Sequence, residues 1–374
     1  MRITCKQQEL SKALSIVGHA VSSRCTLPIL SNILLSTDQG RLKLSATNLE
    51  IGINCWIDAD IHQEGVTTLP AKTFSELISS LASGNVDLIT NEAHSTNIKT
   101  AKNNANVKGI DPSEYPAIPG VDGAETPITL YCNTLKEIIA QTAFAAADND
   151  SRPVLSGVHI EVVGETISFA AADSFRLAYR EAPLAGHVEP FSGIIIPAKT
   201  LTELGRILPS DGPVDMILTP NRSQVLFHTE HIDLVSRLIE GTFPNIRAAI
   251  PKDLPTKIIV ETKEFALAVK AVTPFAKDSS NIVKVKVSRE MTGDTLTLTS
   301  VAEDVGDNTV TVNAAIEGNE TNIIFNTKYL SEVLAIIDKP EVSLSLNTSS
   351  NPGIIRPVGS ADYTYVIMPM STNR

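Results

Sequence analysis

One short pattern occurs three times in this chain: LPAKTF at residues 69–74, IPAKTL at residues 196–201 and FNTKYL at residues 325–330. The lysines of the three copies are 127 and 129 residues apart. Similarity at a fixed spacing indicates a repeated structural unit. The sequence therefore predicts one unit of roughly 125 residues that is used three times.

Other short segments repeat at the same spacing, which a chance match of one pattern would not produce. LPILS at residues 27–31 aligns with RPVLS at 152–156, and TNL at 47–49 aligns with ADS at 172–174. The third unit is the most diverged, since NIVK at residues 281–284 stands where the others have a Leu-Ser motif. Duplication is clearest for the first two units and extends to the third.

Each unit contains two segments with apolar residues at helical spacing, separated by short runs that alternate between polar and apolar residues. The predicted helices cover residues 8–21 and 73–81, then 135–146 and 200–208, then 263–276 and 328–337. Two helices against an antiparallel sheet, repeated three times, is an α+β fold. Proline-containing joins place the predicted domains at residues 1–121, 128–249 and 256–374.

The composition is that of a globular protein, with 374 residues, 43% apolar residues and 20% charged residues. We expect a cytoplasmic protein without a membrane segment, because no apolar run is long enough to span a bilayer and residues 1–6 lack the apolar stretch of a secretory signal. The four cysteines have neither zinc-ligand nor CxxC spacing, so we expect reduced, mostly buried thiols and no metal site.

The net charge of −11 is the wrong sign for a protein that grips DNA through many phosphate contacts. Each unit nevertheless places a lysine at the start of its second helix, and three symmetric copies would put a cation on one face of every unit. A closed ring would reconcile the two observations, since topology alone retains a ring on a duplex. If two chains supply six units, the ring contains twelve helices. Placed about 9 Å apart, they would enclose a hole on the order of 25 Å, wide enough for double-stranded DNA.

The chain resembles the beta subunit of bacterial DNA polymerase III, the sliding clamp family, over residues 1–374. The resemblance rests on TLPIL at residues 26–30, ADSFRLA at 172–178, EGTFP at 240–244 and YVIMPM at 365–370. It implies three clamp domains that form half of a six-domain ring, a head-to-tail homodimer around double-stranded DNA. Such a ring holds the DNA polymerase III core on its template and is placed there by a clamp loader. It has no catalytic role and needs no cofactor.

The resemblance also implies an apolar pocket between the second and third domains. It would bind short linear motifs of the polymerase core, the clamp loader, other polymerases and repair proteins. The matching pocket positions are Leu155, Ala172, Ser174, Phe175, Arg176, Leu177, Pro244, Asn326, Tyr329, Val366, Met368, Pro369 and Met370. Family members commonly have glycine and histidine where Ser174 and Phe175 stand, and they end soon after the Met-Pro-Met motif. The motif preference is therefore left open.

The DNA-facing positions that the resemblance and the repeat imply are Arg24, Lys72, Asn149, Arg152, Lys199 and Lys328. The dimer contact resembles an edge strand near residues 104–108 that meets a helix around residues 272–275 of the second chain.

Two other function classes stay open from the residues alone. The chain could be a repeat-built peptide-binding scaffold that does not encircle DNA, or, more remotely, a hydrolase that uses Asp173 with a histidine. The sequence lacks a Walker-type phosphate loop, a GxGxxG motif and a GxSxG elbow. The pair His228 and His231 lies in an alternating strand-and-turn run without the helical HExxH spacing of a zinc protease.

Overall fold

The first repeat contains eight strands and two α-helices. The computed structural model describes residues 1–22, 27–120, 126–148, 152–184, 191–291 and 293–371. In chain order the first repeat has β1 (Arg2–Lys6), α1 (Gln7–Gly18), β2 (Asn32–Asp38), β3 (Arg41–Thr47), β4 (Ile51–Gln63), β5 (Val66–Pro70), α2 (Ala71–Ser80), β6 (Asn85–Thr90), β7 (Ser95–Lys99) and β8 (Asn104–Lys108). Both helices directly follow a strand.

The second repeat has the same order of elements with one short helix added at its end. It contains β9 (Ile128–Tyr131), α3 (Cys132–Thr142), β10 (Gly157–Val163), β11 (Thr166–Ala172), β12 (Arg176–Pro183), β13 (Phe191–Pro197), α4 (Ala198–Ile207), β14 (Pro213–Leu218), β15 (Gln224–His228), β16 (Ile232–Arg237) and α5 (Ile246–Ala249). The sequence did not predict α5, which is too short to show helical periodicity.

The third repeat replaces one long strand with two short ones. It contains β17 (Thr256–Glu261), α6 (Thr262–Ala276), β18 (Ile282–Glu290), β19 (Gly293–Ala302), β20 (Gly306–Asn313), β21 (Ala315–Glu317), β22 (Thr321–Asn326), α7 (Thr327–Ile336), β23 (Glu341–Leu346), β24 (Gly353–Pro357) and β25 (Tyr363–Ile367). β20 and β21 together stand where the first repeat has β4 and the second has β12. The predicted α+β fold of three repeats is confirmed.

The described residues form two compact units, and each unit is built around one junction between repeats. One unit comprises Met1–Leu135 and Glu203–Leu238, the other Lys136–Thr202 and Ile239–Arg374. In the first unit β4 pairs with β16, and in the second β12 pairs with β25, all antiparallel. A strand in the fourth position of one repeat thus pairs with the last strand of the next repeat.

Alternation along the strands directs one face of each sheet toward the helices. In β3, Leu42 and Leu44 are buried on the face that α1 covers, while Lys43 and Ser45 point to the opposite face. The helices contribute their apolar stripe to the same core: Leu10, Leu14 and Val17 of α1 are buried. The periodic apolar spacing that predicted the helices is therefore the spacing that builds the core.

Candidate functional site

A tight turn between β11 and β12 presents two exposed residues of the predicted pocket. The Asp173 Oδ1 atom accepts hydrogen bonds from the backbone N–H groups of Phe175 at 2.7 Å and Arg176 at 2.9 Å. This side-chain-to-backbone pattern is a common reason for aspartate in turns. As a result Ser174 is exposed and 58% of the Phe175 surface is exposed.

Four of the predicted pocket residues lie together in one apolar cluster. Leu155, Ala172, Leu177 and Val366 pack with further buried side chains that the sequence comparison did not identify: Ala170, Ile195, Phe243, Ile246 and Ile354. Leu177 and Val366 are direct cross-strand partners in the β12–β25 pair. The apolar periodicity of each strand marked these residues as buried, but only the strand pairing shows that they share one cluster.

The segment after β25 is fixed to the same region by backbone hydrogen bonds. The Met368 N–H donates to the Phe175 carbonyl at 2.8 Å, and the Met370 N–H donates to the Ile324 carbonyl at 2.8 Å. Met368 is 41% exposed, while Pro369 and Met370 are half-buried. The segment therefore holds two flexible, polarizable thioether side chains at the rim of the cluster.

Two aromatic rings extend the site toward α7. The Phe175 and Tyr329 rings stack with their centroids 6.4 Å apart, and the Tyr365 hydroxyl donates to the Tyr329 carbonyl at 3.2 Å. Asn326 caps α7, because its side-chain oxygen accepts the Lys328 N–H at 2.9 Å. Pro244 is exposed next to the buried Phe243. We call this surface, from Phe175 across the apolar cluster to Met370, the groove.

Arg176 differs from the other predicted pocket residues, because it supports the groove from beneath. Its guanidinium pairs with Asp173 at 3.0 Å, forms an ion pair with Glu332, donates to the Phe144 carbonyl at 2.8 Å and lies 4.5 Å from the Tyr329 ring centroid. Only 5% of the residue is exposed. Burial lowers the pKa of this group, but Tyr365, Glu332 and Asp173 together raise it above its usual value, so Arg176 stays charged.

The lysines of the repeated pattern occupy equivalent places in the structure. Lys72, Lys199 and Lys328 are each the second residue of a helix that follows directly on a strand, and all three are exposed. The Nζ atom of Lys328 lies 3.9 Å from Glu332, so this cation is partly paired. Arg152 is exposed. Arg24 and Asn149 lie outside the described residues.

The residues considered for catalysis or metal binding have other partners. The carboxylate of Asp173 is occupied by backbone N–H groups and Arg176, as described above. The His228 ring lies 2.6 Å from the carboxylate of Asp233. Burial raises the pKa of Asp233, and His228 partly opposes that shift. Among the described residues, no three His, Cys, Asp or Glu side chains are grouped so as to hold a metal ion. Cys5, Cys55 and Cys132 are buried, and Cys25 lies outside the described residues.

Among the fourth-position and last strands of the three repeats, two have no partner on one side within the described residues. β8 is the edge strand of the sheet in the first unit, and β20 is an edge strand of the four-stranded sheet in the second. β20 lies against α6, where the Asn308 side chain donates to the Ala271 carbonyl at 2.9 Å. Val272 of α6 is fully buried, so the exposed surface beside β20 comes from Ala271, Pro274 and the half-buried Phe275.

Comparison with known proteins agrees with this arrangement in all three repeats. Family models of the DNA polymerase III beta subunit match the N-terminal domain at residues 1–119, the central domain at 129–245 and the C-terminal domain at 247–371. The chain belongs to the beta sliding clamp family. The beta sliding clamp of Synechocystis is 33% identical over 390 residues, with 99% of both chains covered.

Solved clamps share the fold over the whole chain. The crystal structure of the Bacillus subtilis sliding clamp has a TM-score of 0.93 at 31% identity, with 100% of both chains covered. The C. crescentus clamp, whose structure contains polyethylene glycol at a putative beta-motif tethering region, has a TM-score of 0.91 at 30% identity, covering 100% of this chain and 99% of that one. The three repeats are therefore clamp domains. Within the described part of this chain, no helix has the length and apolar character needed to cross a membrane.

Proposed function

We propose that this protein is a non-catalytic, cytoplasmic processivity factor. In this proposal two copies close head to tail into a six-domain ring around double-stranded DNA. Its domains cover residues 1–121, 128–249 and 256–374. The ring tethers the DNA polymerase III core, is loaded by a clamp loader, and recruits other polymerases and repair proteins through the groove.

The observation that carries the proposal is the repeated junction between domains. β4 pairs with β16, and β12 pairs with β25, so each time the fourth-position strand of one repeat meets the last strand of the next. Among the fourth-position and last strands, the two with no partner on one side in the described part of the chain are β20, which has the fourth position in repeat three, and β8, which is the last strand of repeat one. A second copy can therefore continue the same pairing, and closed symmetric assemblies are the usual outcome of such head-to-tail contacts.

Charge supports pairing between these two edges. Lys102 and Lys108 are exposed beside β8, while Glu303, Asp304 and Asp307 are exposed at the start of β20. Opposite charges on two surfaces favour one partner and one orientation over others. The sequence analysis proposed that the strand near residues 104–108 contacts residues 272–275 of the second chain. We add β20 to that contact.

Encirclement of DNA is tested by topology. The loaded protein should remain on nicked circular DNA in high salt and leave after the circle is linearised. Retention in high salt separates encirclement from phosphate contacts, which weaken steeply as salt rises. Equal loss from both forms of DNA would contradict the ring and favour a peptide-binding scaffold that does not encircle DNA.

The DNA-facing role of the lysines has its own test. We propose that Lys72, Lys199 and Lys328 face the duplex together with Arg24, Asn149 and Arg152. Replacing the three lysines by alanine should lower the salt dependence of DNA binding by the unloaded protein, because fewer counterions are released. The triple variant Lys257→Ala, Lys284→Ala, Lys286→Ala removes the same charge from exposed strand positions and should leave that dependence unchanged.

Peptide binding at the groove is tested with a matched pair of methionines. Met368→Ala removes a side chain at the groove rim but keeps its backbone hydrogen bond to Phe175. Met291→Ala removes a fully exposed methionine in the third repeat, away from the groove residues. Fluorescence polarisation with a labelled C-terminal peptide of the polymerase should show at least about tenfold weaker binding for Met368→Ala only. Equal affinities for the two variants would exclude the groove as the binding site.

A further inference from the structure

A cavity of about 440 Å³ lies in the first repeat, on the face of the sheet that points away from α1. Leu34 of β2, Lys43 and Ser45 of β3 and Asn54 of β4 form its floor, and residues 111–118 form its opposite wall. All of these residues belong to one compact unit. The volume falls within the range typical of sites for small organic molecules.

The second repeat fills the corresponding place with its own side chains. Leu34, Ser45 and Asn54 form one cross-strand row in the first repeat. The same register in the second repeat contains His159, Ala170 and Tyr179. There the Tyr179 side chain packs against the apolar cluster, and the His159 ring stacks on Phe243 with the centroids 5.1 Å apart.

The difference between the two rows leaves space for an aromatic ring in the first repeat. Asn54 lacks the ring that Tyr179 supplies, and Leu34 stands where the imidazole of His159 lies. Tyr115, which corresponds to Phe243, is held in place by its hydroxyl, which donates to the carbonyls of Asn32 at 3.2 Å and Ser45 at 3.3 Å. Tyr115, Pro116 and Leu34 therefore form fixed apolar walls on two sides of the cavity.

Asn54, at the floor of the cavity, uses only one end of its side-chain amide in a hydrogen bond within the described residues. Asn54 is 2% exposed, and its Oδ1 atom accepts a hydrogen bond from the Ser45 hydroxyl at 2.7 Å. Its Nδ2 donor has no acceptor among the described residues of the chain. Asn54 lines the cavity, so a ligand that carries an acceptor can take this hydrogen bond in place of water.

The charges along the walls select a neutral ligand. Lys43 and Asp111 both line the cavity and are opposite in sign. The Lys43 ammonium lies 4.0 Å from the Asp38 carboxylate and 4.9 Å from the centroid of the Trp56 ring. The Asp111 carboxylate accepts the Ser113 N–H at 2.9 Å. With no net charge on the walls, an ionised ligand would lose its hydration without a dedicated counterion.

We propose that this cavity binds a small aromatic carboxamide. The ring lies between Tyr115 and Leu34, in the space that the Tyr179 ring fills in the second repeat. The amide carbonyl accepts a hydrogen bond from Asn54 Nδ2, and the amide nitrogen donates toward the oxygens of the opposite wall. The inference does not depend on ring closure, DNA binding or the groove.

The test uses benzamide as the probe and the full-length protein. Saturation-transfer NMR should show saturable binding to the wild type with a Kd of about 1 mM, a typical affinity for a ligand of this size. The double substitution Ser45→Ala and Asn54→Tyr recreates the Ala170–Tyr179 pair of the second repeat. It should fill the cavity and weaken binding at least about tenfold.

A second variant separates the lost donor from the lost space. Asn54→Leu keeps a side chain of similar size without the amide, and it should also weaken benzamide binding. If circular dichroism shows that the double variant does not fold, the comparison of Asn54→Leu with the wild type tests the proposal instead. Cyclohexanecarboxamide, which lacks the planar ring, should bind more weakly than benzamide. The proposal is overturned by an absence of saturable binding to the wild type, by equal binding to wild type and Asn54→Leu, or by equal affinity for the two amides.

Discussion

Arg176 is the residue on which the groove depends most strongly, although a bound peptide would scarcely touch it. It joins the turn at Asp173 to Glu332 of α7 and supports the Tyr329 ring. Removing one partner from a buried ion-pair network leaves the others without compensation. The same side chain therefore contributes to both the stability of the second unit and the shape of the groove.

We predict that Arg176→Met lowers the free energy of unfolding by about 3 kcal/mol. The loss arises because Glu332 and the Phe144 carbonyl lose their charged donor. Urea denaturation measures it directly. Arg206→Ala is the control, because Arg206 forms an ion pair with Glu203 on an exposed helix surface and should cost no more than about 1 kcal/mol. Equal losses for the two variants would show that the Arg176 network does not stabilise the fold.

His159 makes the stability of the second repeat depend on pH. Burial lowers its pKa, while Glu161 opposes that shift, and its ring stacks on Phe243 beneath the groove. Below the ordinary histidine pKa of about 6.5 the unfolded chain binds a proton that the folded chain does not. The stability that comes from a neutral, buried His159 is therefore fully present above about pH 6.5 and is lost as pH falls toward the lowered pKa.

We predict that the wild type loses more stability than His159→Gln between pH 7.5 and pH 5.5, because glutamine does not titrate. Urea denaturation of both proteins at the two pH values is the measurement. The pKa of His159 can be followed separately in the folded protein by the NMR shift of its ring protons. Parallel loss of stability in the two proteins would assign the pH dependence to other groups.

At the scale of elements, the third copy of the repeated pattern shows how a helix start tolerates divergence. The first two copies have Pro70 and Pro197 just before the helix, and the third has Asn326. Asn326 compensates by capping α7 through its side chain. Asparagine is among the preferred residues at this position because its oxygen satisfies a backbone N–H that has no partner within the helix.

Asn326→Ala should therefore destabilise the protein by about 1 kcal/mol, the usual value of a lost helix cap. Asn322→Ala changes an exposed asparagine on the same strand, β22, and serves as the matched control. Urea denaturation of both variants measures the difference. A loss no greater than that of the control would mean that the cap does not contribute.

The elements were predictable from sequence to a much greater extent than the groove. All six long helices lie within four residues of their predicted bounds, since apolar periodicity is a local property of the chain. The contacts of Arg176 could not be predicted in this way, because Glu332 is 156 residues away along the chain. The same holds for Ile354, which only the pairing of β12 with β25 brings to the groove.

At the scale of the whole molecule, the two edge strands decide whether the proposed ring can close. Pairing of β8 with β20 of a second copy, antiparallel as at the other two junctions, would place Lys108 near Asp304 and Asp307. Like charges at such an interface are repulsive, and restored complementarity recovers binding. The edges can therefore be tested by charge reversal without disturbing either core.

Lys108→Glu should weaken the dimer at least about tenfold, as should Asp304→Lys together with Asp307→Lys. An equimolar mixture of the two variants should recover the dimer, because each head-to-tail ring of one copy of each has one wild-type interface and one interface with both sides reversed, and both are complementary. Combining all three substitutions in a single chain restores opposite charges at both interfaces and should also recover the dimer. Sedimentation velocity measures each case, with Lys284→Glu and Lys286→Glu, on an exposed face of β18, as the control. Failure of the threefold variant to dimerise, while it remains folded, would place the dimer contact elsewhere.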